Sequence, residues 1–201
     1  FFYLRIMILR FFIGICLILI VSKGYGQENI GVVNKIQGFY IFTDSQPIAG
    51  YEVVGEVSTA GHDDSGISKS KGQYQPVRDF LIKAARKVNY TADGLILSFV
   101  NDGDDKAVII KFKENSEKNS HSKVNQFQGV YIFTDSEPMN ETEYITTISD
   151  RGKSNSFQYH ALKEKLISIC RKEQPNAKAL VLKLIYGGTD SGDVVRFKTK
   201  E

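Results

Sequence analysis

Apolar and polar positions along the chain fall into two successive series with the same order. In the first, Gly38 to Thr43 (GFYIFT) carries aromatic and β-branched groups on both faces, which predicts a strand covered on both sides. Asp44-Ser45-Gln46-Pro47 follows as a turn signal, and Tyr51 to Val57 predicts a second strand. Ser58 to Gln75 is rich in Gly, Ser, Asp and Lys and has no apolar period, so it reads as a long surface loop. Pro76 then opens a helix, where its missing N–H costs nothing. Val77, Phe80, Leu81, Ala84, Ala85 and Val88 form its apolar face, and Arg86 and Lys87 suit the negative end of its dipole. Two further strands, Gly94 to Val100 and Ala107 to Lys113, are joined by the turn Asn101-Asp102-Gly103-Asp104-Asp105. The predicted order is β-β-α-β-β.

The second series repeats the first. Val33 to Pro47 (VNKIQGFYIFTDSQP) and Val124 to Pro138 (VNQFQGVYIFTDSEP) match at eleven of fifteen positions, at an offset of ninety-one residues. Such self-similarity has to be read before any other feature, because it sets the architecture. Gly129 to Thr134 and Glu143 to Ile148 repeat the first two strands at that offset. The next loop is six residues shorter, after which Leu162, Leu166 and Ile169 align with Val77, Leu81 and Ala84, and Leu180 to Leu182 with Leu95 to Leu97. The fold class predicted is α+β: two tandem β-β-α-β-β repeats, residues 27–114 and 124–201, joined by an exposed linker at 115–123. Each would be a small, mostly antiparallel sheet with one helix. One sheet with one helix covers little apolar surface, so the units are expected to pack as a pseudo-symmetric pair. Tyr40, Phe42, Tyr131 and Phe133 are the positions expected to face the partner unit.

The first 26 residues follow a different pattern. Phe11 to Val21 is an unbroken apolar run after Arg10, too short to span a bilayer, and Gly24 and Gly26 supply small residues before Gln27. This predicts a secretory signal peptide over 1–26, with Met7 opening a segment of the usual signal form, and a secreted or periplasmic mature chain. The segment holds Arg5, Arg10 and Lys23 and no acid, so its removal leaves 23 basic residues against 23 acidic ones. A neutral chain lacks the electrostatic footprint of a nucleic-acid binder. No stable membrane anchor is expected. Cys16 lies within the apolar run, which leaves Cys170 alone and excludes an intrachain disulfide in the mature chain.

Each chemically capable residue has a plain structural use. Cys170 aligns with Ala85 on the apolar helix face, where a thiol packs as a small hydrophobe. His62, His121 and His160 have no second His or Cys at metal-ligand spacing. The acidic loops are the better candidates: Asp102, Asp104 and Asp105 in one turn and Asp190 and Asp193 in the other, beside glycines, suit calcium or another divalent cation. His62-Asp63-Asp64 has a similar character. Acidic turns of this kind are also routine in hairpins. The repeated Thr-Asp-Ser-x-Pro (Thr43 to Pro47, Thr134 to Pro138) places Asp beside Ser, but neither copy offers an orienting histidine, and the same residues cap a turn. No residue is assigned a catalytic or cofactor-binding role.

Thr43 to Pro47 followed by Tyr51 to Val57 resembles the YbjQ-type family, named for heavy-metal binding, with Thr146 standing where the first unit has Gly55. The resemblance implies an oligomer-forming, non-enzymatic module and carries no metal ligand onto this chain. The function expected is an exported, non-catalytic interaction or ligand-binding module, with a protein or small molecule as partner and homo-oligomers compatible with the fold. The alternatives are a divalent-cation-binding envelope protein using the acidic loops and, behind it, a hydrolase using the Thr-Asp-Ser turn.

Overall fold

The computed structural model describes residues 28–60, 73–101, 103–150 and 158–198. The predicted signal segment, His62, Asp63, Asp64 and Asp102 lie outside these residues. Within them the chain is mixed α+β, with three mostly antiparallel sheets and two helices of the α type. In the first half the elements are β1 (Ile30–Val33), β2 (Lys35–Ile36), β3 (Phe39–Thr43), β4 (Ser45–Pro47), β5 (Tyr51–Ser58), α1 (Tyr74–Val88), β6 (Gly94–Ser98) and β7 (Lys106–Phe112). The second half continues with β8 (His121–Val124), β9 (Gln126–Phe127), β10 (Val130–Phe133), β11 (Ser136–Pro138), β12 (Thr142–Ser149), α2 (Tyr159–Glu173), β13 (Ala179–Lys183) and β14 (Ser191–Phe197).

Among the described residues each half thus has seven strands about one helix, where the hydrophobic pattern predicts four. The additional strands are two to four residues long, too short to display a period. The proposed linker is corrected with them: Glu117–Ser120 is a 3-10 turn, His121 to Lys123 belong to β8, and Asn119 and Ser122 are buried.

Two five-stranded sheets have corresponding orders, β2-β3-β6-β7-β5 and β9-β10-β13-β14-β12. In each, one central pair is parallel (β3 with β6, β10 with β13) and the rest are antiparallel. Strand β3 alternates cleanly. Phe39 and Ile41 pack toward α1 with Leu81, Leu95 and Ile109, whereas Phe42 packs on the other face with Val33, Ile96 and Ile110. The repeated Gln-Gly of the motif makes the two-residue turn before that strand. Gln37 and Gly38 have φ of 48° and 93°, and Gln128 and Gly129 48° and 78°, the left-handed pair that a type I′ hairpin requires.

The third sheet draws two strands from each half, in the order β11-β1-β8-β4. Its centre pairs Gly31 with Ser122, and a separate bridge pairs Thr43 with Thr134. Tyr74 and Tyr159, from the first turns of the two helices, stack with ring centroids 5.0 Å apart. All three pairs join residues at corresponding positions of the two halves, the geometry of a contact across a two-fold axis. The expectation for the aromatics changes accordingly. Phe42 and Phe133 are buried in clusters drawn from their own halves, Phe133 with Val124 also lying against Gly31 of the first half, and Tyr74, Phe99 and Tyr159 make a further apolar contact between halves.

Candidate functional site

The Thr-Asp-Ser-x-Pro motif ends β3 and β10 with an abrupt change of direction. Asp44 and Asp135 take φ of 52° and 48°, a left-handed conformation that Asp tolerates better than most residues. The kink carries Ser45–Pro47 and Ser136–Pro138 across to pair with the first strand of the opposite half. It also turns each aspartate toward the helix of the opposite half.

The result is a crossed polar network. Asp44 accepts hydrogen bonds from the Tyr159 hydroxyl and from Lys163 Nζ, the latter at 2.8 and 3.0 Å to its two oxygens. Asp135 accepts from the Tyr74 hydroxyl at 2.7 Å and from Arg78 Nη1 at 2.9 Å. Each tyrosine also shares a hydrogen bond with the threonine of its own half, Thr43 with Tyr74 at 2.9 Å and Thr134 with Tyr159 at 2.8 Å. Burial, then the adjacent carboxylate, hold both tyrosines well above the usual phenol range, so they act as donors. Lys163 is almost wholly buried and lies 3.8 Å from the centre of the Phe127 ring, so its ammonium has exchanged water for a carboxylate and an aromatic face.

Beside this network lies an open cleft of about 210 Å³, whose walls include Asp44, Ser45, Ser98, Asn125, His160 and Lys163. It sits at the carboxyl ends of the parallel pair β3 and β6, against the first turn of α2. The His160 ring lies 3.1 Å from Glu164 at the rim. The Ser45 hydroxyl is buried and has no hydrogen-bond partner within the protein, as has that of Ser136 in the corresponding position.

The predicted acidic residues stand elsewhere and do not converge. Asp105 is buried at the base of the β6–β7 hairpin, where its carboxylate accepts from Val100 N–H at 3.0 Å. Asp190 does the same for Ile185 N–H at 2.9 Å in the other half. Burial raises the pKa of Asp190, against that backbone bond. Asp193 is paired with Lys183 at 2.5 Å and accepts from Thr147 at 2.6 Å. Its burial opposes ionisation, but the Lys183 and Thr147 hydrogen bonds outweigh this and lower its pKa. Asp104 lies in the same turn as Asp105. Among the described residues no group of three or more His, Cys, Asp or Glu is arranged to hold a metal ion. His121 lies in β8, paired with Val32. Cys170 is buried in the α2 core, and burial raises its pKa, which suits packing rather than nucleophilic attack.

Sequence reasoning passed over Tyr74, Arg78, Tyr159 and Lys163. The available signal was a tyrosine four residues before a cation, repeated at the start of both helices. No known protein family, curated protein or solved structure matches the chain. No described helix is long and apolar enough to cross a membrane.

Proposed function

We propose that the chain is an exported, non-catalytic binding module, in which two tandem repeat units pack as a pseudo-symmetric pair to form a rigid platform. The observation that carries this reading is the fate of the repeated motif. Asp44 and Asp135, the acid–base residues common to both copies of the motif, are occupied by cross-half bonds to Tyr159, Lys163, Tyr74 and Arg78. Holding two donor groups each gives both carboxylates a structural use that needs no catalytic role. The motif therefore builds the platform, and ligand contacts fall where the halves differ. One such difference lies where the start of α1 meets the β13–β14 hairpin. There Tyr186 N–H donates to Gln75 Oε1 across the two halves at 2.7 Å. The resemblance to the YbjQ-type family points toward the same non-enzymatic class.

The test uses the chain from Gln27 onward in a thermal-shift panel of small carboxylates, phosphates, sugars, amino acids, calcium and zinc, run beside esterase and phosphatase assays. A saturable rise in melting temperature without turnover is the expected result. Turnover that co-purifies with the folded chain, or no ligand in the panel, would overturn the proposal.

A further inference from the structure

We propose that two copies of this chain associate by exchanging halves, the first half of each copy completing the second half of the other. The partner is a second copy, and the surface is the one that joins the halves within a single chain.

Neither half is finished alone. Every pairing in the third sheet, β1 with β11, β1 with β8 and β4 with β8, runs between halves. A half standing apart therefore presents unpaired strand edges, which are templates for a matching strand. It also gives up the crossed bonds of Asp44 with Lys163 and of Asp135 with Arg78. A complementary half restores all of these contacts, and a second copy carries one of the same sequence. Each five-stranded sheet, by contrast, lies wholly within one half, so the halves can part with both of these sheets intact.

One segment, residues 114–120, joins the halves. Its described hydrogen bonds are local. Asn119 donates from Nδ2 to Glu114 C=O and from its N–H to Ser116 C=O, each at 3.1 Å. Ser120 Oγ donates to Glu117 C=O at 3.0 Å. Opened, these seven residues reach up to about 25 Å. Exchange gives up the local bonds and keeps the contacts between halves. What opposes it is the tether, since a short linker holds its own two halves at an effective concentration on the order of 1 mM. A second copy competes when the halves are apart at chain concentrations of that order, as during refolding. The exchanged dimer then persists, because undoing it requires both crossings to open.

Exchange changes what builds the cleft. Asp44, Ser45 and Ser98 come from the first half, and Asn125, His160 and Lys163 from the second. In an exchanged pair each cleft is walled by residues of both copies, and one dimer carries two clefts.

The experiment uses Val32 and His121, which stand directly opposite each other across β1 and β8. Val32→Cys and His121→Cys are made in separate chains from Gln27 onward and refolded together from urea at about 1 mM with a mild oxidant. A disulfide joining one copy of each variant is expected, read as a dimer on a non-reducing gel. Refolding at about 1 µM should lower that dimer at least roughly tenfold. Either variant refolded alone should give none, because an exchanged pair then carries one engineered thiol at each crossing. Both substitutions in one chain should close within a monomer, which shows that the pair can bond. If that control closes while the mixture stays monomeric, or dimerises without the disulfide, the exchange is overturned. Sedimentation of the wild type refolded at the same concentration decides the matter without thiols. A dimer that survives dilution and returns to monomer only after a second urea cycle is expected. Wholly monomeric chain, or a dimer that dissociates at once on dilution, would overturn exchange and leave the binding role untouched.

Discussion

Replacing Asp44 by Asn tests whether the two halves are held together by their crossed network. The substitution keeps size and shape, and Asn tolerates the left-handed φ of 52° as well as Asp does, so backbone strain does not enter. What changes is charge. The Lys163 side chain is 4% exposed and that of Asp44 14%, so the ammonium would be left in a dry site with Phe127 and Tyr159 as its remaining neighbours. Breaking a buried pair by removing one partner costs about 3–5 kcal/mol. The Asn carbonyl still accepts one hydrogen bond, which restores about 1 kcal/mol. The expected loss is therefore roughly 2–4 kcal/mol, or a fall in melting temperature of roughly 5–15 °C for a chain of this size. Urea unfolding of the wild type, Asp44→Asn, Lys163→Met and the double variant closes a thermodynamic cycle. The double variant should recover most of the loss, because removing both charges also removes the desolvation penalty. A cost for Asp44→Asn below about 1 kcal/mol, with strictly additive singles, would refute the claim that this pair couples the halves.

Three further outcomes follow from the same geometry. Tyr74 and Tyr159 have pKa values raised above the unfolded value, so their contribution is complete below the ordinary tyrosine pKa and is lost as pH rises through the folded value. Alkaline titration should therefore show two tyrosinate absorbance changes appearing only with unfolding, and free titration of every tyrosine in the folded chain would contradict this. A fragment of residues 115–201 retains β8 but loses β1 and β4, so it should be unfolded or should pair β8 with its own copy as a dimer. Sedimentation showing a monomer that melts cooperatively at the full-length temperature would be inconsistent with the shared sheet. Gly31→Ser places a Cβ 3.0 Å from Val124 Cγ2 and 3.1 Å from Ser122 Oγ, and should cost about 1–3 kcal/mol by differential scanning calorimetry. A neutral result there would mean that the sheet centre yields more readily than its packing indicates.

The long elements were legible because their periods are long enough to count. Both helices and the strands β3, β5, β6, β7, β10, β12, β13 and β14 fall where the apolar pattern puts them, and Cys170 lies where its alignment with Ala85 puts it. Pro76 marked the start of α1 only to within a turn, since the helix begins at Tyr74. The shared sheet was not legible, because Ile30–Val33 and Ser45–Pro47 carry no period of their own and are made strands by partners in the other half. The polar network was hidden for the same reason. A motif of Asp, Ser and Pro reads locally as a turn, and the sequence does not say which helix will lie above it. The acidic hairpins show the opposite case. Asp105 and Asp190 stand out by composition, yet each has a local backbone amide to hold, and that local use accounts for them.

The facing of Gly31 and Ser122 limits what two identical halves could carry at this crossing. In a true homodimer the residue on the axis meets an identical copy, so either two glycines or two serines would lie at this crossing. A Cβ added to Gly31 would stand only 3.0 Å from Val124, so a second serine has little room, whereas one glycine and one serine fit. Joining the halves in one chain frees each axial position to take a residue that its counterpart does not share. The Arg78 and Lys163 counterions and the His160 and Gln75 rims show the same freedom farther from the axis. Covalent linkage thus lets one copy specialise while the other keeps the scaffold.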